Sequence, residues 1–494
     1  MKVLSIDIGA SSGRFIVTDY DGKNFKKIET FRFLNEMKYI DCHERRDFSH
    51  LFEEIKKGLT ITLKEFNDIK TIGVDTWAVD YGLLKNNKLE FDPIAYRDDR
   101  NENAKNDLLD KFGGYNKIYK ETGIQLLAFN TIFQLYDDIK NDKKFDIFLL
   151  IPDLINYYLT GNKFIELTNL STTAIYNPIK KKISEEIINA IGLKKTQIPE
   201  LIYPSCLVGK LKDEFKVNKD SEIKVISVGS HDTASAVASI ELDKNTCYLS
   251  SGTWSLLGVE NDEPIINELS YKFNFTNEIG LEHKVRFLKN IMGLFIIQEI
   301  RKDYNELDNK KHSFQEFNDE AAKVINNDIY VDVDDELFSK PRDMLNKYYS
   351  YLKKTNQYKG EMTLGEVARS IYESMAFKYV GSLKNLEELI NRKINKMIVI
   401  GGGNQAKLLN QLIANSLNIE VEIGENEATV VGNALAQFIY LKEFKDLKEA
   451  REALNKNLEK EIYKPEEVEK FKNKYKKYLE VMLNEWARKT LFKC

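Results

Sequence analysis

Three stretches of this 494-residue chain place chemically useful residues at the ends of apolar runs. The first, SIDIGASSGRF from Ser5 to Phe15, is a strand carrying Asp7 that enters a turn of small residues before Arg14. Such a turn lets backbone N–H groups approach a bulky anion, because glycine tolerates positive φ and lacks a Cβ, while serine adds hydroxyl donors. That is phosphate-binding chemistry, yet no Gly-Lys-Ser/Thr follows, and the chain continues through RFIVTD to YDG, so the turn reads as a hairpin tip. An ordinary tight turn has the same composition. The second stretch, VGSHDTASAVAS, puts His231, Asp232 and Thr233 after a strand and a Gly-Ser turn, ahead of an alanine-rich helix. Open α/β sheets collect ligands at this place, and a helix N-terminus would hold Asp232 ionised, ready to accept a proton. Asp is equally a common N-cap, and a lone histidine is commonly structural. The third, IGGGN, runs a strand into Gly401, Gly402 and Gly403, which leave a surface wide enough for a nucleotide or merely allow close packing. Asp75 and Asp80 flank Trp77 in DTWAVD, as reactive carboxylates or as solvated turn residues.

The elements that position these residues alternate between strand and helix. After the hairpin and the strand KKIETFRFL, Leu51, Phe52, Ile55 and Leu59 behind Ser49 as N-cap mark a helix. IKTIGVDTWAVDYGLL reads as two strands around a sharp junction, and residues 101–216 as mostly helical, with Gly161 stopping one helix. CYLSSGTWSLLGVE repeats the opening pattern of strand, Ser-Ser-Gly turn and strand, with Thr253 at its tip. Later, KMIVI is a strand, Leu408, Leu409, Leu412 and Ile413 share a helix face, and Thr363 with Glu366 stands at capping-box spacing before a long helix. Two such hairpins about half a chain apart imply an internal duplication: two related α/β halves, residues 1–239 and 240–494, facing each other across a cleft.

Composition bounds the alternatives. With 43% hydrophobic and 30% charged residues the chain is globular and long enough for two large domains. A formal net charge of −4 provides no general attraction to nucleic acid or anionic lipid. Cys42, Cys206, Cys247 and Cys494 are widely spaced, so neither a zinc site nor a disulfide framework is expected, and reduced thiols in a cytoplasmic protein are. The most apolar run, IFLLIPDLI, is short and broken by Pro152 and Asp153, against a signal peptide or membrane span.

DIGASSGR, DTWAVDYGLL, PIAYRDDR, PDLINYYLTG, SHDTASAVAS, YLSSGTWSLLG, RFLKNIMGLFIIQ, IGGGNQ and EATVVGNALAQ together resemble the carbohydrate kinase family that includes glycerol kinase and xylulokinase. SHDTASA and FLKNIMGL resemble that family's rhamnulokinase branch. The resemblance spans nearly the whole chain and implies two actin-like, ribonuclease H-like domains around a catalytic cleft. It implies that Ala10, Ser11, Ser12, Gly13 and Arg14 bind the ATP phosphates, with Asp7 acting nearby through Mg2+. Thr253, Gln298, Gly401, Gly402 and Gly403 would complete the nucleotide site, and Ala78, His231, Asp232, Thr233 and Asn290 would meet the sugar. Asp232 would be the general base that takes a proton from L-rhamnulose. The family motif has Gly where this chain has Ala78, which adds one methyl to the sugar side and leaves L-fuculose or D-xylulose as alternative substrates. A different class, a nucleotide-switched actin-like ATPase or sugar sensor, would not need a base facing a sugar. Nucleic-acid and membrane partners are not expected, and the oligomeric state stays open between monomer and dimer.

Overall fold

The computed structural model describes residues 1–456 and 458–491, the stretch 485–491 by its backbone alone. The chain forms two compact units. One gathers Met1–Glu241, Glu260–Phe287 and Glu427–Leu458, and the other gathers Leu242–Val259, Leu288–Asn426 and the chain from Glu459 onward.

In the first unit six strands run in the order Cys206–Lys210, Lys224–Ser227, Ile69–Thr76, Lys2–Ile8, Ser12–Tyr20, Phe25–Leu34. The three inner strands, from Lys224, Ile69 and Lys2, are parallel, and the flanking pairs are antiparallel. Parallel strands are covered on both faces, and Lys2–Ile8 accordingly buries six of its seven residues. Leu4, Ile6 and Ile8 pack with Leu51, Ile55 and Leu59 of helix Phe48–Glu65. Val3 turns the other way, into a cluster with Val431 and Leu435 of helix Ala428–Tyr440. The first helix is capped by Asp47, whose carboxylate accepts the His50 N–H, and not by Ser49, which lies inside it.

The DTWAVDYGLL junction separates two sheets: Ile69–Thr76 stays in the large one, while Tyr81–Lys85 pairs with Ile147–Leu150 and Lys88–Leu89. Residues 101–216 hold helices at Arg100–Phe112, Tyr115–Thr122, Thr131–Lys140 and Ile151–Thr160, the last stopped by Gly161 at φ 86°. They also hold short strands such as Phe164–Glu166 and Glu200–Ile202, too brief for any periodic signal, so the region is more mixed than the expected mostly helical one.

The second unit repeats the pairing scheme. Thr246–Ser251 and Trp254–Asn261 form an antiparallel hairpin. Thr246–Ser251 pairs in parallel with Lys396–Ile400, that strand in parallel with Glu420–Ile423, and the latter antiparallel with Glu461–Tyr463. These are the directions of the first sheet taken in the same order, so the duplication read from the two Ser-Gly turns extends through the sheets. The helix expected after Thr363 spans Leu364–Ile390 and has its capping box with Glu366. Cys42 is exposed, Cys206 half-buried and Cys247 buried, all as free thiols, while Cys494 lies outside the described residues. Among the described residues no helix is long and apolar enough to cross a membrane.

Candidate active site

The carboxyl ends of the three parallel strands of the first unit bring three aspartates together. Asp7 stands in register with Asp75 across neighbouring strands. A bridge from Thr76 to His231, with the Thr76 N–H donating to Ser230 O at 2.9 Å, sets the Ser230–Thr233 turn beside them.

The turn after Asp7 is built by others. Gly9 N–H donates to Ser12 O at 2.8 Å, Asn35 donates from its backbone to Ser11 O and from its side chain to Gly9 O, and Arg46 donates to Ala10 O at 2.8 Å. Neither Gly9 nor Gly13 has positive φ. A Cβ on Gly13 would sit 2.2 Å from the Phe33 ring, so close packing, and not the left-handed backbone expected from the sequence, requires glycine there. Arg14 is held between two carboxylates, Asp7 and Glu427, the second at 2.5 Å.

Asp232 opens helix Asp232–Ala238 as its first residue. His231 occupies the cap position, and no side chain caps the helix, so the N-cap reading of Asp232 fails. Thr233 Oγ1 donates to Asp232 Oδ1 at 3.1 Å, and His231 Nε2 lies 3.5 Å from the same oxygen. The expectation that the helix end holds Asp232 ionised is also corrected. Burial, followed by the neighbouring Asp7 carboxylate, raises Asp232 from 3.8 to about 7. Burial in a low-dielectric site and a like charge both outweigh the partial charge of one short helix. His231 is moved the other way, well below its ordinary value, by burial and then by Arg286.

This turn rests on a carboxylate that sequence reading missed. Buried Glu166 accepts from Ser230 Oγ and Thr168 Oγ1, each at 2.6 Å, and from the Ser230 N–H at 3.2 Å. Behind Asp75 stands Asn433, whose Nδ2 donates to Asp75 Oδ2 at 2.5 Å, while Gln437 Nε2 donates to Asn433 Oδ1 at 2.7 Å. Asp75 is fully buried and pushed well above the carboxylate range by burial and then by Asp7.

At the DTWAVD junction, Trp77 Nε1 donates to Asp80 Oδ2 at 2.8 Å, and the Arg46 guanidinium lies 4.4 Å from the Trp77 ring centroid. Trp77 and Asp80 are therefore buried partners and not solvated turn residues; burial lifts Asp80 to about 6 against the pull of Arg46. Val79 between them has φ 68°, and Asp80 N–H donates to Ala78 O at 3.0 Å. A β-branched residue there is strained, and backbone strain of this kind collects at functional sites. Ala78 is half-buried beside this turn.

The remaining candidates belong to the second unit. Thr253 Oγ1 donates to Gln298 Oε1 at 3.5 Å. A Cβ on Gly403 would meet Ser251 Oγ at 2.0 Å and one on Gly401 would meet Ser251 O at 2.8 Å, whereas Gly402 faces open space. Asn290 lies half-buried in strand Val285–Met292.

A divalent cation fits the donor chemistry at Asp7. Asp75 Oδ1 next to it is buried without a hydrogen-bond partner, and Mg2+ needs only one or two carboxylates when phosphates complete its shell. No all-protein cage of three His, Cys, Asp or Glu exists among the described residues.

Comparison with known proteins bears on all of this. Models of the FGGY family of carbohydrate kinases match residues 2–238 with the N-terminal domain and 247–441 with the C-terminal domain. Similar relatives are named rhamnulokinase: in Halalkalibacterium halodurans at 39% identity over 91% of this chain and 96% of the relative, and in Bacillus subtilis at 38% over 95% and 96%. One from Bacteroides thetaiotaomicron is 35% identical over 94% and 96%. Among solved structures, a ligand-bound xylulose kinase from Lactobacillus acidophilus aligns with TM-score 0.78 at 18% identity, covering 97% of each chain. Plasmodium falciparum glycerol kinase with ADP aligns with TM-score 0.77 at 16% identity, covering 98% of each. At such identities these structures speak for the fold, a two-domain mixed α/β arrangement with actin-like domains.

Proposed function

Because the chain belongs to the FGGY family of carbohydrate kinases, we propose that it transfers the γ-phosphoryl group of ATP to the carbon-1 hydroxyl of L-rhamnulose, giving L-rhamnulose 1-phosphate and ADP. The observation that carries the mechanism is Asp232, a carboxylate brought to about 7 beside Asp7 at the carboxyl ends of the parallel strands. A general base works best with a pKa near the operating pH. Asp232 takes the hydroxyl proton as that oxygen forms its bond to the γ-phosphorus and the bond to the bridging oxygen breaks; solvent then collects the proton. Residues 1–239 provide the sugar side and the turn from Ala10 to Arg14 for the phosphates, while residues 240–494 provide Thr253, Gln298 and Gly401–Gly403 for the nucleotide and Asn290 for the sugar. Mg2+ at Asp7 supplies charge neutralisation at the phosphates when bound. His231, Thr233 and Ala78 shape the sugar side. The enzyme works in the cytoplasm on small molecules.

The choice of ketose rests on the rhamnulokinase relatives, and Ala78 is the residue that favours a second reading, a kinase of another ketose. ADP release measured across L-rhamnulose, L-fuculose and D-xylulose separates them: kcat/KM should be highest for L-rhamnulose, and a preference of about tenfold or more for another ketose removes the assignment. The acid limb is a separate expectation. Since Asp232 must be ionised to accept the proton, kcat/KM for the sugar should fall below about pH 7, approaching inverse proportion to proton concentration. A flat profile from pH 5 to 8 would exclude a base of this pKa.

A further inference from the structure

His231 has a partner that defines which of its ring nitrogens carries the proton. Arg286, fully buried, places NH2 3.1 Å from His231 Nδ1 and 3.2 Å from Glu278 Oε2, with Ile279 O at 3.3 Å. A guanidinium has donors only, so at 3.1 Å from it Nδ1 must accept. Were Nδ1 protonated, two N–H groups would point at each other in a site closed to water. Glu278 Oε2 also lies 3.5 Å from Nδ1 and would accept from it in the opposite tautomer. That contact is the longer one, and the same carboxylate already balances the Arg286 charge. On the ring's far side, Nε2 is 3.5 Å from Asp232 Oδ1.

We infer that Arg286 is a positioning residue which locks His231 as the neutral Nε2–H tautomer, so that a hydrogen-bond donor is presented beside Asp232 to an oxygen of the bound ketose. The sugar part of this inference rests on the function proposed above; the tautomer does not. The groups facing the ring are Arg286 and Glu278 at Nδ1 and Asp232 at Nε2, and the depressed pKa of His231, set by burial and Arg286, agrees with a ring that stays neutral. A ketose oxygen that accepts from Nε2–H leaves its own hydroxyl proton free for Asp232. The ring therefore sorts ligands by an acceptor at this position, and a deoxy analogue lacking that oxygen would leave Nε2–H without a partner.

Nitrogen-15 spectra of ring-labelled histidine test this on the unaltered protein. Only 5 histidines occur in the chain, and His231→Gln identifies the relevant pair of signals. The expected pattern is a protonated Nε2 with a bare Nδ1, unchanged from pH 8 to 6. A protonated Nδ1 overturns the inference. Glu278→Gln should leave the pattern in place, and a switch to protonated Nδ1 in that variant would assign the lock to Glu278 and overturn the role of Arg286. Arg286→Lys should mix the tautomers and raise the KM for L-rhamnulose by roughly tenfold, the loss of about one hydrogen bond, with the KM for ATP little changed. An Nε2–H pattern with unaltered tautomers in Arg286→Lys also overturns the role of Arg286. Mixed tautomers with an unaltered sugar KM would uphold the lock and remove His231 from the sugar side.

Discussion

Replacing Asp232 by Asn should lower kcat at least about 100-fold while raising the melting temperature at pH 8, two effects of opposite kind from one oxygen-for-nitrogen exchange. The loss of turnover follows from removing the proton acceptor while keeping the size of the side chain and its place beside Thr233 Oγ1. The gain in stability follows from linkage. In the folded protein Asp232 titrates at about 7 instead of its ordinary 3.8, so folding favours its neutral form. Below the ordinary value both folded and unfolded chains hold the proton and nothing is lost; as pH rises toward 7 the folded chain bears an increasing cost for the charge. Asn carries no such cost, so the stability difference between variant and parent should be full at pH 8 and shrink as pH falls toward 5. ATP binding, placed on residues away from this carboxylate, should persist. Near-normal turnover would remove Asp232 as the base, and equal melting temperatures at pH 8 would contradict a half-buried, charge-crowded carboxylate.

Gly432→Ala should be nearly as damaging, through packing alone. A Cβ at residue 432 would lie 1.7 Å from the main-chain oxygen of Ser235, so helix Ala428–Tyr440 crosses helix Asp232–Ala238 backbone against backbone. Main chain cannot rotate aside like a side chain, and the two helices must separate. Overpacking commonly costs ~1–3 kcal/mol, and here the upper end or beyond is expected. Because Ser235 sits one turn after Asp232, the same displacement moves the proposed base, and an error of about 1 Å can cost ~100-fold in rate. Gly402→Ala is the control, since nothing lies within 4 Å of a Cβ there and the melting temperature should hold. A Gly432→Ala protein with the parent's melting temperature would show that the helices can part without cost.

Features with local signals were readable from the sequence. The two hairpins, the capping box at Thr363 and Glu366, the Gly161 stop and the strand-turn-helix around Asp232 are each determined within a few residues, and the structure has them. Asp232 itself could be placed but not its charge state, because that is set by burial in the assembled fold and then by the Asp7 carboxylate, which is distant in the chain. For the same reason the partnerships of Arg46 under the Ala10 turn, Glu166 beneath Ser230, Arg286 behind His231 and Asn433 against Asp75 could not be foreseen. Arg286 and Asn433 even lie in stretches that carry the family resemblance, RFLKNIMGLFIIQ and EATVVGNALAQ, but only the fold shows that each of the four is buried with a partner. The cap at Asp47 instead of Ser49 and the short strands between residues 101 and 216 mark the usual limit at element ends, where tertiary pairing decides and periodicity has too few residues to register.

The segment Glu427–Leu458 completes the first unit from near the far end of the chain. Its helix covers Val3, Val228 and Ala238, supplies Asn433 to Asp75, and seats its Val430 carbonyl on the Ser5 hydroxyl. A ribosome delivers the opening hairpin about 400 residues before this helix. Throughout that interval one face of the first sheet lacks the apolar cover of this helix and Asp75 lacks its amide partner. The nascent chain thus carries an unfinished sheet while the whole second hairpin and the long helix Leu364–Ile390 are being made, which is the period in which it is most open to chaperones and to aggregation. A polypeptide released between residues 234 and 427 holds the Ser230–Thr233 turn with its Glu166 and Thr76 partners but lacks the helix that packs against Asp232–Ala238 and the amide that holds Asp75.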